Sequence, residues 1–176
     1  MPRSRETYWY ALKVFYGRTK LVEEEFRKAR YTTFIPMKVE EVETDGHRDY
    51  VEKPLITSLM FVRCTERFLK KLKIMYNDYF LYYSEPGERA PGRIPDKEMD
   101  NFRLATTLNT SDVMYMGSDT FQLRKGDRIR VRDGLYKGLE GYVRRINHSR
   151  KVLVCLEGIA VVAVSNIHPH LLEKID

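Results

Sequence analysis

Gly134, Gly138 and Gly141 fall within eight residues, between two segments that read as strands, and no other feature constrains this chain's fold as tightly. Glycine suits positions where φ is positive or where two backbones approach closely. The run Gly126-Asp127-Arg128-Ile129-Arg130-Val131-Arg132 leads into Asp133-Gly134-Leu135-Tyr136-Lys137-Gly138, and Glu140-Gly141-Tyr142-Val143 leads back out. The pattern predicts a strand, one tight loop and a return strand. Further strands are expected at Val152–Glu157 and Ile159–Val164, with glycines or polar clusters between them. Four or five strands in so short a stretch fit a small barrel rather than an open sheet.

The chain upstream has a different grammar. Tyr8 to Tyr16 is rich in β-formers and ends at Gly17. Leu21, Val22, Phe26 and Ala29 recur at helical spacing over about 18–30. Asp45-Gly46 between Val39–Glu43 and His47–Val51 is a hairpin signal. The apolar run from Leu55 to Cys64 predicts a central strand, and Phe68, Leu69, Leu72 and Met75 predict a second helix. After a strand at Tyr79–Tyr83 and a turn-rich loop, Pro95 opens a third helix with Met99, Phe102 and Ala105 on one face. The order β-α-β-β-β-α-β-α predicts an antiparallel sheet flanked by helices, a ferredoxin- or RRM-like arrangement. The expected fold class is therefore α+β: an N-terminal domain at 6–108, a polar linker at 109–120 and an SH3-like β-barrel at 121–176.

The net charge of +6 is concentrated. Residues 124–151 carry 10 Lys and Arg against 3 Asp and Glu, a local excess of +7 that attracts polyanions. No apolar run approaches the roughly 18 residues of a membrane helix, and the charged start does not read as a signal peptide. A cytoplasmic, monomeric protein without a membrane partner is expected. Cys64 and Cys155 lie far apart in strand-like sequence and read as buried thiols. Phosphate-binding glycine motifs are absent. His168-Pro169-His170 has no further nearby His or Cys and reads as a turn rather than a metal site. With no nucleophile–base arrangement either, the sequence predicts no catalytic residues, no metal and no cofactor.

The glycine frame, with Gly126, Val131, Gly134, Tyr136, Gly138, Gly141 and Val143, resembles the KOW motif, Leu135 standing where that family usually has proline. The N-terminal half then resembles the NGN domain of the NusG family, through Trp9-Tyr10-Ala11-Leu12-Lys13-Val14, Phe34-Ile35-Pro36, Pro54 to Val62 and Ile94 to Met99. Ile56-Thr57-Ser58-Leu59 replaces an aromatic, proline, glycine or asparagine, and tyrosine, so that surface stays apolar but loses its rings. The tail Leu156–Val164 and Arg144-Arg145 look closer to specialised paralogs of the UpxY and RfaH kind, associated for UpxY with capsular or exopolysaccharide operons.

That resemblance implies a non-enzymatic transcription elongation or antitermination factor. Its NGN domain would bind the clamp helices of the largest RNA polymerase subunit, with Tyr8, Tyr10, Ile56, Leu59, Tyr82, Met99 and Phe102 as contact candidates. Trp9 is expected in the core, because strand neighbours point to opposite faces. Arg18, Lys20 and Arg27 are candidates for contact with non-template DNA. Arg130, Arg132, Lys137, Arg144, Arg145, Arg150 and Lys151 would form a basic surface on the KOW domain. In relatives the KOW domain meets Rho or the ribosomal protein that doubles as NusE, and nascent RNA is a further candidate partner. The alternative is an RNA-binding module of ribosome assembly or leader-RNA regulation, although Leu59-Met60-Phe61-Val62-Arg63 lacks the paired stacking aromatics of an RNP motif. A pure protein adaptor is a third reading.

Overall fold

The computed structural model describes residues 6–15, 17–108, 111–118 and 126–175. Tyr16, Asn109-Thr110 and the segment from Asp119 to Lys125, where the barrel was expected to begin, lie outside the described residues. The chain divides into two compact units, Met1–Pro36 with Ile56–Asp96, and Met37–Leu55 with Lys97–Asp176.

In the first unit β1 (Tyr8–Val14) leads to α1 (Thr19–Lys28) and β2 (Thr32–Phe34). Helix α1 ends with Arg30 at φ 60°. The Tyr31 N–H donates to the Phe26 carbonyl and the Arg30 N–H to the Arg27 carbonyl, a Schellman closure with arginine where glycine is usual. Val22 and Phe26 are buried, but Leu21 stays 41% exposed and does not join the apolar face.

A long hairpin, β3 (Met37–Thr44) and β4 (His47–Pro54), turns at Asp45 and Gly46, both at positive φ, as the sequence predicts. It groups with the second unit. The expected strand over 55–64 is shorter: β5 spans Leu59–Cys64, because Ser58 turns the chain at φ 70°. Thr65 caps α2 (Glu66–Met75), its hydroxyl accepting from the Phe68 N–H at 3.3 Å. β6 (Phe80–Tyr82) completes an antiparallel sheet in the order β2-β5-β1-β6.

The alternation of β1 sets the two faces of this sheet. Tyr10, Leu12 and Val14 join Met60, Val62, Val22, Phe26, Leu69 and Phe80 in one core cluster, where α1 and α2 pack. Trp9, Ala11 and Phe61 point the other way and are also buried.

The second unit contains α3 (Asp96–Thr106) from Lys97 on, with Met99, Phe102 and Ala105 fully buried as the periodicity predicts. Next come β7 (Val113–Gly117), β8 (Asp127–Val131), β9 (Glu140–Ile146), β10 (Ser149–Leu156), β11 (Ala160–Val164) and β12 (Leu172–Lys174). They form a six-stranded antiparallel sheet in the order β12-β8-β9-β10-β11-β7, and the fold class is α+β. Residues 113–117 correct the expected linker: they pair with β11, and Ser165 donates its N–H to the Asp112 carbonyl. Val113, Met114, Tyr115 and Met116 are strand formers, but a run of four was too short to show a period.

Candidate protein and nucleic-acid contact surfaces

The seven candidate polymerase contacts do not form one exposed patch. Tyr10 is fully buried in the helix-side core and lies on the face opposite Trp9, so its expected role as a contact is not available in this structure. Helices α1 and α2 pack on the Tyr10 face; Trp9 is buried on the other face, as expected, and Tyr10 is buried as well. Ile56 and Leu59 are 7% and 3% exposed, and Met99 and Phe102 are fully buried. Tyr8 and Tyr82 are half-buried. The Arg93 guanidinium lies 4.1 Å from the Tyr8 ring centroid and is also held by Glu66 at 3.0 Å. The Tyr82 hydroxyl donates to the Arg89 carbonyl at 3.2 Å.

Nor do the candidate cations of α1 converge. Arg18 places its guanidinium 4.0 Å from the Tyr79 ring centroid, which anchors it to the body of the unit. Arg27 pairs with Glu23 at 3.5 Å, and Lys20 is exposed. Arg18 is thus drawn away from the outward face that Lys20 and Arg27 occupy.

The glycine frame has two distinct causes. Gly134 and Gly138 take φ of 87° and 88° and turn the loop. Gly126 and Gly141 are places of close approach. A Cβ on Gly141 would lie 2.4 Å from the Leu153 carbonyl oxygen and 2.8 Å from Val152 Cγ1, and one on Gly126 would lie 2.5 Å from the Val143 carbonyl oxygen. Val131 and Tyr136 are buried beside this loop, Val143 is half-buried, and Leu135 stands 75% exposed at its tip.

Glu140 organises the base of β9. Its carboxylate accepts from Arg130 at 2.7 Å, Arg128 at 3.2 Å and Lys97 at 3.3 Å, while its side chain is 12% exposed. The Arg130 hydrogen bond, with Lys97 adding to it, holds the carboxyl below the ordinary glutamate range against the opposing effect of burial. Asn101 of α3 brackets the Glu140 backbone: its amide donates to the carbonyl at 2.6 Å and its oxygen accepts from the N–H at 2.8 Å. The sequence reading missed both residues. Nothing in the spacing of a lone asparagine on a helix announces a partner 39 positions away.

The basic surface expected here accordingly splits. Arg130 is engaged by Glu140, and Arg132 donates to the His170 carbonyl at 3.0 Å. Lys137 is exposed in the glycine loop. Arg144, Arg145, Arg150 and Lys151 form a separate group on β9 and β10, in register as Arg145 opposite Arg150 and Arg144 opposite Lys151.

His168 and His170 stack with ring centroids 4.1 Å apart, and His168 caps the short turn that follows it. Cys64 is buried and Cys155 half-buried, and neither is in a disulfide.

Against known proteins, residues 7–103 match the family described as "Transcription termination factor nusG". Among solved structures, one titled "Domain interaction in Thermotoga maritima NusG" aligns over 97% of this chain and 98% of its own, with TM-score 0.52 and 16% identity, a likeness of fold. No curated protein matches the sequence.

Proposed function

The chain belongs to the NusG family of transcription factors, and on that premise we propose that it is a non-enzymatic elongation factor whose residues 6–108 bind the polymerase clamp helices and suppress pausing or termination. The observation that carries this reading is the family match across 7–103, which spans the four-stranded sheet together with α1, α2 and most of α3. The sheet face that carries Trp9, Leu59 and Phe61 is apolar, but these residues and Ile56 are buried. Because Ile56, Leu59, Met99 and Phe102 are buried here, binding through them requires a conformation that exposes them. Tyr8 and Tyr82 are reachable as the chain stands.

The C-terminal strands from Asp127 onward act as a KOW domain that recruits a further partner. Gly134, Gly138 and Gly141 support this assignment, and exposed Leu135 offers an apolar point at the loop tip. Rho and the ribosomal protein that doubles as NusE are the candidate partners. The Leu156–Val164 tail and Arg144-Arg145 favour a specialised, operon-specific paralog that acts in the cytoplasm.

The test is transcription by purified bacterial RNA polymerase on a template with a pause and a terminator, comparing the full chain with Ile56→Asp. The full chain should raise read-through or shorten pausing, and Ile56→Asp, checked for folding by circular dichroism, should lose that effect. No effect of the full chain on the cognate polymerase would overturn the reading. A response confined to templates with the cognate leader supports the specialised role, whereas an equal response on every template contradicts it.

A further inference from the structure

Every residue of β4 is exposed, and Tyr50 at its middle, 72% exposed, is the most accessible aromatic ring among the described residues. β3 and β4 pair in an unbroken register from Met37 opposite Pro54 to Thr44 opposite His47, with no bulge. Among the described residues they pair only with each other. A two-stranded hairpin is marginal in water, and further strands or a packed face make it stable. A long, regular edge is also a template for pairing with another chain, unless proline, a bulge or charge blunts it. The charges along β4 are of both signs, and their order fits a second copy of the same strand.

The turn decides which backbone groups are free to pair. Asp45 and Gly46 take φ of 52° and 79°, a two-residue turn that hydrogen-bonds Thr44 with His47. From there, hydrogen-bonded and non-hydrogen-bonded pairs alternate along the ladder. Arg48, Tyr50 and Glu52 fall in the non-hydrogen-bonded pairs, opposite Glu43, Glu41 and Val39. Their N–H and C=O groups therefore point away from β3, along the outer edge of the hairpin.

We propose that two copies of this chain associate through β4, antiparallel about a two-fold axis at Tyr50, to form a four-stranded sheet β3-β4-β4-β3. Outward-facing residues must meet outward-facing residues, so the axis passes through a residue rather than between two. An axis at Asp49 would set that carboxylate against its own copy. An axis at Val51 would put Pro54, which has no N–H, in a hydrogen-bonded position opposite Arg48. An axis at Tyr50 sets Arg48 opposite Glu52 twice and Tyr50 opposite Tyr50, and every residue of these three pairs has its N–H. Opposite charges and aromatic pairs directly across an antiparallel pair are stabilising. Arg48 is 80% exposed and holds Glu41 of its own hairpin through Nε at 3.2 Å. Its guanidinium has five donors, so it can take a carboxylate from each copy. Lys53 lies on the opposite face of the hairpin, held by Glu40 at 3.0 Å. This inference goes beyond polymerase binding and its test contains no polymerase, so either can fail alone.

So short a ladder belongs at the weak end of specific interfaces, with a dissociation constant of roughly 10–500 μM. The experiment is sedimentation equilibrium of the full chain, loaded from about 5 μM to about 1 mM. The average mass should rise from the 20.9 kDa of one chain towards twice that value. Arg48→Glu and Glu52→Arg each turn both ion pairs from attraction to repulsion and should weaken self-association about tenfold. Mixed in equal amounts, these two variants complement each other at both pairs and should associate about as tightly as the wild-type chain. Asp49→Asn with Lys53→Gln lies outside those ion pairs and should change the association by less than about twofold. All these positions are exposed, so thermal melts should match wild type. The proposal is overturned if the wild-type chain stays monomeric throughout, if either single variant associates like wild type, or if the mixed variants fail to associate. It is also overturned if Asp49→Asn with Lys53→Gln weakens the dimer as much as Arg48→Glu.

Discussion

Replacing Gly141 by alanine asks β9 to hold a methyl group where β10 already has its backbone. The added Cβ would sit 2.4 Å from the Leu153 carbonyl oxygen and 2.8 Å from Val152 Cγ1. Ordinary carbon–oxygen contact needs roughly 3.4 Å, so the strands must separate by about 1 Å at this point. A side chain could swing aside, but a ladder carbonyl cannot. Overpacking of this kind costs about 1–3 kcal/mol, and a backbone obstacle puts the clash near the upper end. Alanine regains roughly 0.5–1 kcal/mol over glycine within a strand, which leaves a net loss of about 2 kcal/mol. With a urea slope of about 1–3 kcal/mol per molar, the unfolding midpoint should fall by roughly 1 M. Gly92 is the control: it has an ordinary φ, and its nearest obstacle is the Tyr83 carbonyl at 3.4 Å, so Gly92→Ala should move the midpoint little. Urea titration followed by circular dichroism reads both. If Gly141→Ala unfolds within about 0.5 kcal/mol of wild type, like Gly92→Ala, the close approach is not what holds glycine at 141.

Asn101→Ala removes both bonds to the Glu140 backbone, at 2.6 and 2.8 Å, and should cost about 1–3 kcal/mol in the same titration. Asn101→Asp should rescue little, because a carboxylate cannot donate to the Glu140 carbonyl. Glu140 is held below its ordinary pKa chiefly by Arg130, so its contribution is fully present above the unfolded value and is lost as pH falls through the folded one. Melting temperature should therefore drop on acidification below the ordinary glutamate range, and Glu140→Gln should flatten that dependence. Thr65→Ala loses the α2 cap and the 3.1 Å link to the Tyr31 hydroxyl, for about 1–2 kcal/mol, whereas Thr65→Ser should keep most of it. Burial pushes the Cys64 thiol up to about 12, so a thiol reagent at neutral pH should titrate Cys155 first and Cys64 only after unfolding.

The local signals in the sequence proved reliable where chemistry and geometry are both local. Asp45-Gly46 made its hairpin, Met99, Phe102 and Ala105 form the buried face of α3, and the 134–141 glycines mark the loop they were read to mark. What was hidden depended on packing between segments. Whether Tyr10 or Trp9 faces α1 and α2 follows from which face those helices choose, and alternation alone cannot say. Ile56 and Leu59 could be read as apolar but not as covered. The separation of the basic block into arginines that pair with Glu140 and a second group, Arg144, Arg145, Arg150 and Lys151, on β9 and β10 needed the register of β8, β9 and β10. Residues 113–117 became a strand because β11 offered an edge, which composition does not record.

The central claim is that this chain is a factor that binds RNA polymerase. Its most direct test is co-elution of the purified full chain with the core enzyme of a bacterial RNA polymerase on size-exclusion chromatography, with an excess of isolated clamp-helix fragment as competitor. The account predicts a stoichiometric complex that the fragment dissolves and that Ile56→Asp fails to form. A chain that elutes alone beside the cognate enzyme, or a complex the fragment leaves intact, would contradict it.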